Sequence, residues 1–301
     1  MNSVAQILGT TWLKEQEANF KVLEDYKTRN LETHAEIKEL LSKTDEELEA
    51  GAVNIKRGAS NRGLFLMRMM EWARFEHIQG NQVTAIKALY LEGAIAYVPI
   101  LDALNSLKFN IDVPYEITYR SEDALYSAII SGDWKLAKQI AKLYLTSVKN
   151  DVSFNFDEFM IIVALVLGRD EEAKARIKKE PKGYALDPPP QRREFFNGIL
   201  KNDTNLALEG LRKTNIRFKG MWNIHKYEKQ WETNPRWRNY HPNWESFWGD
   251  CKKSLVNMRW LLSEFSIVCL RLAVYRGMTE LLAKTELFSE WVPYSLVADR
   301  Y

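Results

Sequence analysis

The chain has 301 residues, 46% hydrophobic and 27% charged, an ordinary globular composition long enough for one large domain or two small ones. With 42 Lys and Arg against 40 Asp and Glu the net charge is +2, so the strong basic excess of a dedicated nucleic-acid binder is missing. Two cysteines, Cys251 and Cys269, are too few for a disulfide framework and form no CxxC pair, which fits a reducing compartment.

The opening MNSVAQILGTTWLKEQ has neither a basic leader nor a long apolar run. No signal peptide is read there, and a cytoplasmic location is expected. Residues 1–60 read as charged N-terminal helices. Within them the acidic run Asp45, Glu46, Glu47 and Glu49 is either a solvated helix face or an acidic contact patch for a basic partner. Gly51–Gly63 (GAVNIKRGASNRG) is punctuated by Gly and Ser and reads as a loop.

From residue 61 to 301 the helical period dominates and strand-like alternation is scarce. A short pattern recurs in FEHIQGNQVTAIKALYL, AIISGDWKLAKQIAKLYL, VALVLGRDEEAKARIKK and FNGILKNDTNLALEGLRK. In each, an apolar helix stops at Gly or Asn, and an alanine follows five residues later: Gly80 with Ala85, Gly132 with Ala137, Gly168 with Ala173, Asn202 with Ala207. A weaker fifth case pairs Gly277 with Leu282. Gly and Asn accept the left-handed geometry that ends a helix, a following Asp or Asn can cap the next one, and a small side chain in its first turns lets two helices approach. The unit is therefore a helix hairpin.

This pattern resembles the tetratricopeptide repeat, most closely at Gly132, Asp133 and Ala137. The resemblance implies an all-α, single-domain, antiparallel helix-hairpin array of degenerate tetratricopeptide-like type. Only the middle turn intervals approach the usual period. Phe159–Gly168 (FMIIVALVLG) is too short to span a bilayer, which needs about 20 residues, and reads as a helix buried on most sides. YALDPPPQRRE, Tyr184–Glu194, reads as a stiff extended connector because of its three prolines.

The interval between the fourth and fifth turns, about 215–250, reads as a Trp-rich insertion. MWNIHKYEKQWETNPRWRNYHPNWESFWGD carries Trp222, Trp231, Trp237, Trp244 and Trp248. Ile224, Tyr227 and Trp231 fall on one helical face. Trp244, Trp248, Cys251, Leu255, Met258 and Leu262 form a packing stripe on a second helix. Between them Thr233–His241 reads as a loop. There Arg236, Trp237, Arg238, Tyr240 and His241 are the residues least committed to packing and the candidate partner contacts, because Trp, Tyr and Arg concentrate in binding hot spots.

No catalytic or nucleotide-binding motif is present. His225, His241, Cys251 and Cys269 match no zinc spacing, His34 reads as a solvated surface residue, and His77 as a satisfied, half-buried one. Glu228, Glu232, Glu245 and Asp250 would be the carboxylates of a helical-toroid carbohydrate-active enzyme, but each reads as readily as a surface group. The charges of 221–250 balance, which disfavours a strand-tracking nucleic-acid groove. No cofactor, metal, nucleic acid or membrane is expected, and the reading is of a non-enzyme.

Taken in order, AIKALYLEGAIAYVPIL, VALVLGRDEEAKARI, RREFFNGILKND and the end LRLAVYRGM with WVPYSLV resemble the immunity protein 49 family of bacterial polymorphic-toxin systems, over roughly residues 60 to 297. The terminal Pro-Tyr-x-Leu-Val also resembles a second helical immunity group associated with DNase toxins. The resemblance implies a cytoplasmic bacterial antitoxin that binds and neutralises a cognate protein toxin, without catalytic residues. Nuclease toxins are in keeping with the family and would favour the acidic run at Asp45–Glu49 as a contact. A tetratricopeptide-like adaptor that binds peptides is the alternative, and oligomeric state is left open.

Overall fold

The computed structural model describes residue 14 and residues 45–106, 115–147, 157–178, 190–220, 223–257 and 262–298, with only the backbone for 45–61, 104, 106, 115–118, 147, 157, 217 and 252–257. The fold is all-α. Among the described residues there are thirteen α-helices, two 3-10 helices and no strand, only an isolated bridge between Ser289 and Val292. In chain order the helices are α1 (Asp45–Ile78), α2 (Val83–Ser106), α3 (Tyr115–Ser131), α4 (Trp134–Ser147), α5 (Asp157–Val166), α6 (Asp170–Ile177), α7 (Pro190–Lys201), α8 (Thr204–Gly220), α9 (Ile224–Thr233), α10 (Pro235–Tyr240), α11 (Trp244–Asn257), α12 (Glu264–Tyr275) and α13 (Tyr294–Val297). The 3-10 turns Thr279–Ala283 and Thr285–Leu287 lie between the last two.

Sequential helices pack as hairpins: α1 on α2, α3 on α4, α5 on α6 and α7 on α8. All five turn positions read from the sequence have left-handed backbone, with φ of 75° at Gly80, 93° at Gly132, 71° at Gly168, 53° at Asn202 and 97° at Gly277. No other described residue has positive φ. At four of them the next amide reaches back five residues, as Asn81 N–H to the Glu76 carbonyl, Arg169 to Ala164, Asp203 to Gly198 and Met278 to Ala273, closing the helix end. Asp133 and Asp203 then cap the following helices through the amides of Leu136 at 2.8 Å and Leu206 at 3.0 Å.

Ala137, Ala173 and Ala207 are fully buried between their paired helices. Helices α7 and α8 approach each other closely. A Cβ added to Gly198 would lie 2.4 Å from the Ala207 nitrogen, and one added to Gly210 would lie 2.5 Å from the Phe195 nitrogen, so backbone meets backbone there. The first hairpin departs from the pattern: Ala85 is exposed and Ile86 is buried. In the other three the new helix starts two residues after the left-handed residue, but α2 starts at Val83, one residue later. The inward position moves on by the same one residue. The fifth case is not a hairpin of α-helices at all. Gly277 leads into a 3-10 turn, which buries Leu281 instead of Leu282.

One expected loop is helical, and a second is helical in its described part. Gly51–Gly63 lies inside the 34-residue α1, where helix continuity outweighs the local cost of Gly and Ser. Of the expected connector Tyr184–Glu194, residues 184–189 lie outside the described residues and Pro190 opens α7, a first-turn position where its missing N–H costs nothing. Phe159–Val166 is buried throughout, as its apolar run implies. The stretch Val83–Ala103 of α2 is long and apolar enough to cross a membrane by length and composition; here it packs against α1, α3 and α4.

Helix α12 is the hub. Glu264 and Ser266–Ala273 are buried. Arg74 of α1 grips Glu264 with two parallel hydrogen bonds of 2.9 Å, with both side chains at most 5% exposed. Tyr90 of α2 donates to the same carboxylate at 2.6 Å. Ser266 donates to Asn215 of α8 at 2.7 Å, Asn215 in turn to the Leu287 carbonyl, and Arg271 to the Leu296 carbonyl at 2.8 Å. The terminal segment is thereby sewn to α12 through buried polar groups.

Four turns share one rim of the molecule. Arg276 pairs with Asp170 at 2.6 Å, Trp134 stacks on Tyr275 with centroids 3.9 Å apart, and Thr204 bonds Glu280. These contacts join the turns at Gly277, Gly168, Gly132 and Asn202.

Candidate interaction surface

Helices α9 to α11 pack chiefly on one another around a cluster of aromatic rings. The face Ile224, Tyr227 and Trp231 of α9 is half-buried, while the rest of that helix is exposed or, at Glu228, engaged by His225 at 2.8 Å. Tyr227 meets Trp248 with centroids 5.6 Å apart, Trp231 meets Trp244 at 6.3 Å, and Trp244 stacks on Trp248 at 5.7 Å with planes 5° apart. Phe247 sits at the centre, against Trp237 at 5.6 Å, His241 at 5.5 Å and Trp244 at 5.9 Å. Phe247 and Trp248 are buried outside the main core, so this module has a core of its own. The described Trp side chains of this stretch thus hold one another; Trp222, Met258 and the side chain of Leu255 lie outside the described residues. Leu262, placed in the same stripe by its spacing, lies beyond α11 and is buried in the main core.

The segment expected to be a loop is a short helix. Asn234 ends α9, its N–H bonding the Gln230 carbonyl, and opens α10 by accepting the Arg236 amide at 3.0 Å. Pro235 occupies the first turn, where its fixed φ suits a helix start. Asn243 caps α11 through the Ser246 amide at 2.8 Å. Trp231 Nε1 donates to the His241 carbonyl at 3.2 Å, which ties the end of α10 back to α9.

These contacts divide the candidate residues. Trp237 is half-buried against Phe247 and belongs to the module core. His241 is only 13% exposed in its side chain, with Nδ1 3.8 Å from Asp250 and 3.4 Å from the Ser246 hydroxyl. Arg236, Arg238 and Tyr240 are exposed, Tyr240 at 69%. Asp45, Glu46, Glu47 and Glu49 lie on α1, but their side chains fall outside the described residues, as does His34. Phe247 went unread, although it stands one helical step from Trp244 and the same period points to it.

Among the described residues no three His, Cys, Asp or Glu side chains gather in a way that could hold a metal ion. Cys251 is half-buried in the module and its thiol is pushed up to about 11, mainly by burial and then by Asp250. Cys269 lies in the main core, where burial likewise raises it. Both are held as neutral thiols. Glu232, Glu245 and Asp250 are exposed, and Glu228 faces His225. His77 is half-buried, its Nε2 2.6 Å from the Glu290 carbonyl.

Fold and module together define an all-α helix-hairpin protein with a separately cored aromatic appendage. Comparison with protein-family models, with curated proteins and with solved structures finds no match to this chain.

Proposed function

We propose that this protein works by binding another protein, and that the partner is a bacterial toxin which it neutralises as an immunity protein. The observation that carries the reading is α10. A six-residue helix is locked at its base by the Asn234 cap, the Trp237–Phe247 contact and the Trp231–His241 bond, and it holds Arg236, Arg238 and Tyr240 out to solvent. Little conformational freedom remains to be lost by the backbone on docking, which favours tight association. Tyr and Arg are suited to anchor an interface. The resemblance of the sequence to helical immunity proteins suggests the kind of partner.

The test is co-expression with a toxin encoded beside the gene. The wild type restores growth, and Arg236→Ala with Tyr240→Ala lowers rescue while the melting temperature is unchanged. Growth arrest undiminished by the wild-type protein overturns the immunity reading. Equal rescue by the double variant overturns the role of α10. The repeated hairpins favour a second reading, a peptide-binding adaptor. That reading expects capture of short peptides by the isolated protein and no protection from any toxin.

A further inference from the structure

Helix α4, WKLAKQIAKLYLTS, contains no acidic residue. Leu136, Ala137, Ile140, Ala141 and Tyr144 are its buried face. Lys135, Lys138 and Lys142 are exposed. At 100° per residue the three ammonium groups fall within about 60° of the helix circumference and span about 10 Å along it. Lys174 and Lys213, by contrast, are paired, with Glu171 at 2.7 Å and Glu194 at 2.8 Å. Lys135, Lys138 and Lys142 form no ion pair among the described residues. Lys138 lies 5.4 Å over the ring of Tyr275, which is 37% exposed and stacked on Trp134 at the start of the stripe. Like charges three and four residues apart repel, so the free molecule carries a cost that an anionic partner removes.

We propose that this face of α4 docks an acidic segment of a partner protein, with carboxylates at helical spacing meeting the three lysines and an apolar residue meeting the Trp134–Tyr275 pair. Three charges over two helical turns match one flank of an acidic helix. They are too few for a nucleic-acid track, whose affinity grows with each phosphate neutralised, and the chain's net charge of +2 adds no wider basic field. The surface is distinct from α10, and the inference stands whether or not the partner is a toxin.

The experiment uses the full chain and a fluorescent 16-residue helical peptide with Glu at successive three- and four-residue steps and Leu flanking. A scrambled peptide of the same composition and a 16-nucleotide single-stranded DNA are compared with it at moderate salt. The periodic peptide should bind at least tenfold more tightly than either. Lys135→Gln with Lys138→Gln and Lys142→Gln should erase that preference, whereas Lys201→Gln with Lys219→Gln, exposed lysines elsewhere, should keep it. Amine labelling of the wild type should show the three lysines protected by the periodic peptide, a readout that needs no variant to fold. Equal binding of the scrambled peptide, tighter binding of the DNA, an unchanged triple variant or unprotected lysines would each overturn the proposal.

Discussion

Replacing Glu264 by Gln would remove the charged half of the buried pair that Arg74 grips, and the ionised acceptor of Tyr90. Breaking one side of a buried pair costs about 3–5 kcal/mol, so Glu264→Gln should lower the urea midpoint strongly. Tyr90→Phe should cost only about 1–2 kcal/mol, because it removes one bond and leaves the pair. If Glu264→Gln melts like the wild type, the pair does not hold α12 to α1. His77 gives the residue scale a pH signature. Burial holds its imidazole below the ordinary value of 6.5, against the Glu290 carbonyl, which favours the charged ring. The unfolded chain takes up a proton as pH falls through that value while the folded chain resists. The stability that follows is complete above it and is lost as pH falls toward the folded value. His77→Gln should therefore flatten the wild type's loss of stability between about pH 7 and pH 5, measured by denaturation across that window.

Among elements, the α7–α8 pair is the most exacting. An alanine at Gly198 would drive its methyl into the Ala207 backbone, and overpacking of this kind costs about 3 kcal/mol at the upper end of its range. Gly249 in α11 has nothing within 4 Å of the same position, so Gly249→Ala should raise stability by about 0.5–1 kcal/mol through helix propensity alone. Thermal melts of the two variants should move in opposite directions. Within the aromatic module, Trp237→Ala should cost about 3 kcal/mol by vacating the face of Phe247, whereas Tyr240→Ala should leave the near-ultraviolet circular dichroism intact. How much of this was legible follows from the range of the forces involved. The left-handed turns are local, since Gly or Asn with a following cap decides them, and all five are found where they were read. The register of α2 depends on one extra residue before Val83, which a fixed five-residue count misses. Gly51–Gly63 was misread because Gly and Ser weaken a helix without ending it when helix continues on both sides. Thr233–His241 was misread because Asn234 serves two helices at once, a double role that only the geometry reveals.

For the whole molecule, the aromatic residues of α9 to α11 form a core separate from the one centred on α12. Denaturation should therefore be followed with two probes. Trp248→Ala should shift the near-ultraviolet transition to lower denaturant and leave the far-ultraviolet transition of the hairpins near its wild-type midpoint; coincident shifts would show one cooperative unit. The candidate surface was only half legible for the same reason. The sequence separated Trp244 and Trp248 from α10 by helical period, but it could not show that Trp237 faces Phe247 while Arg236, Arg238 and Tyr240 stay outside. Composition carries no direction for a short aromatic segment until its neighbours are in place.

The open turns also mark where the chain can be lengthened. At Gly80, Gly168 and Gly277 nothing stands within 4 Å of where a side chain's first carbon would be, and each backbone there has already left the helix. A flexible tag spliced beside Gly168 would add loop without entering either core, at an entropic cost that rises only slowly with its length. Because that turn shares its rim with three others, a tether placed there would hold the molecule by its turn-bearing end.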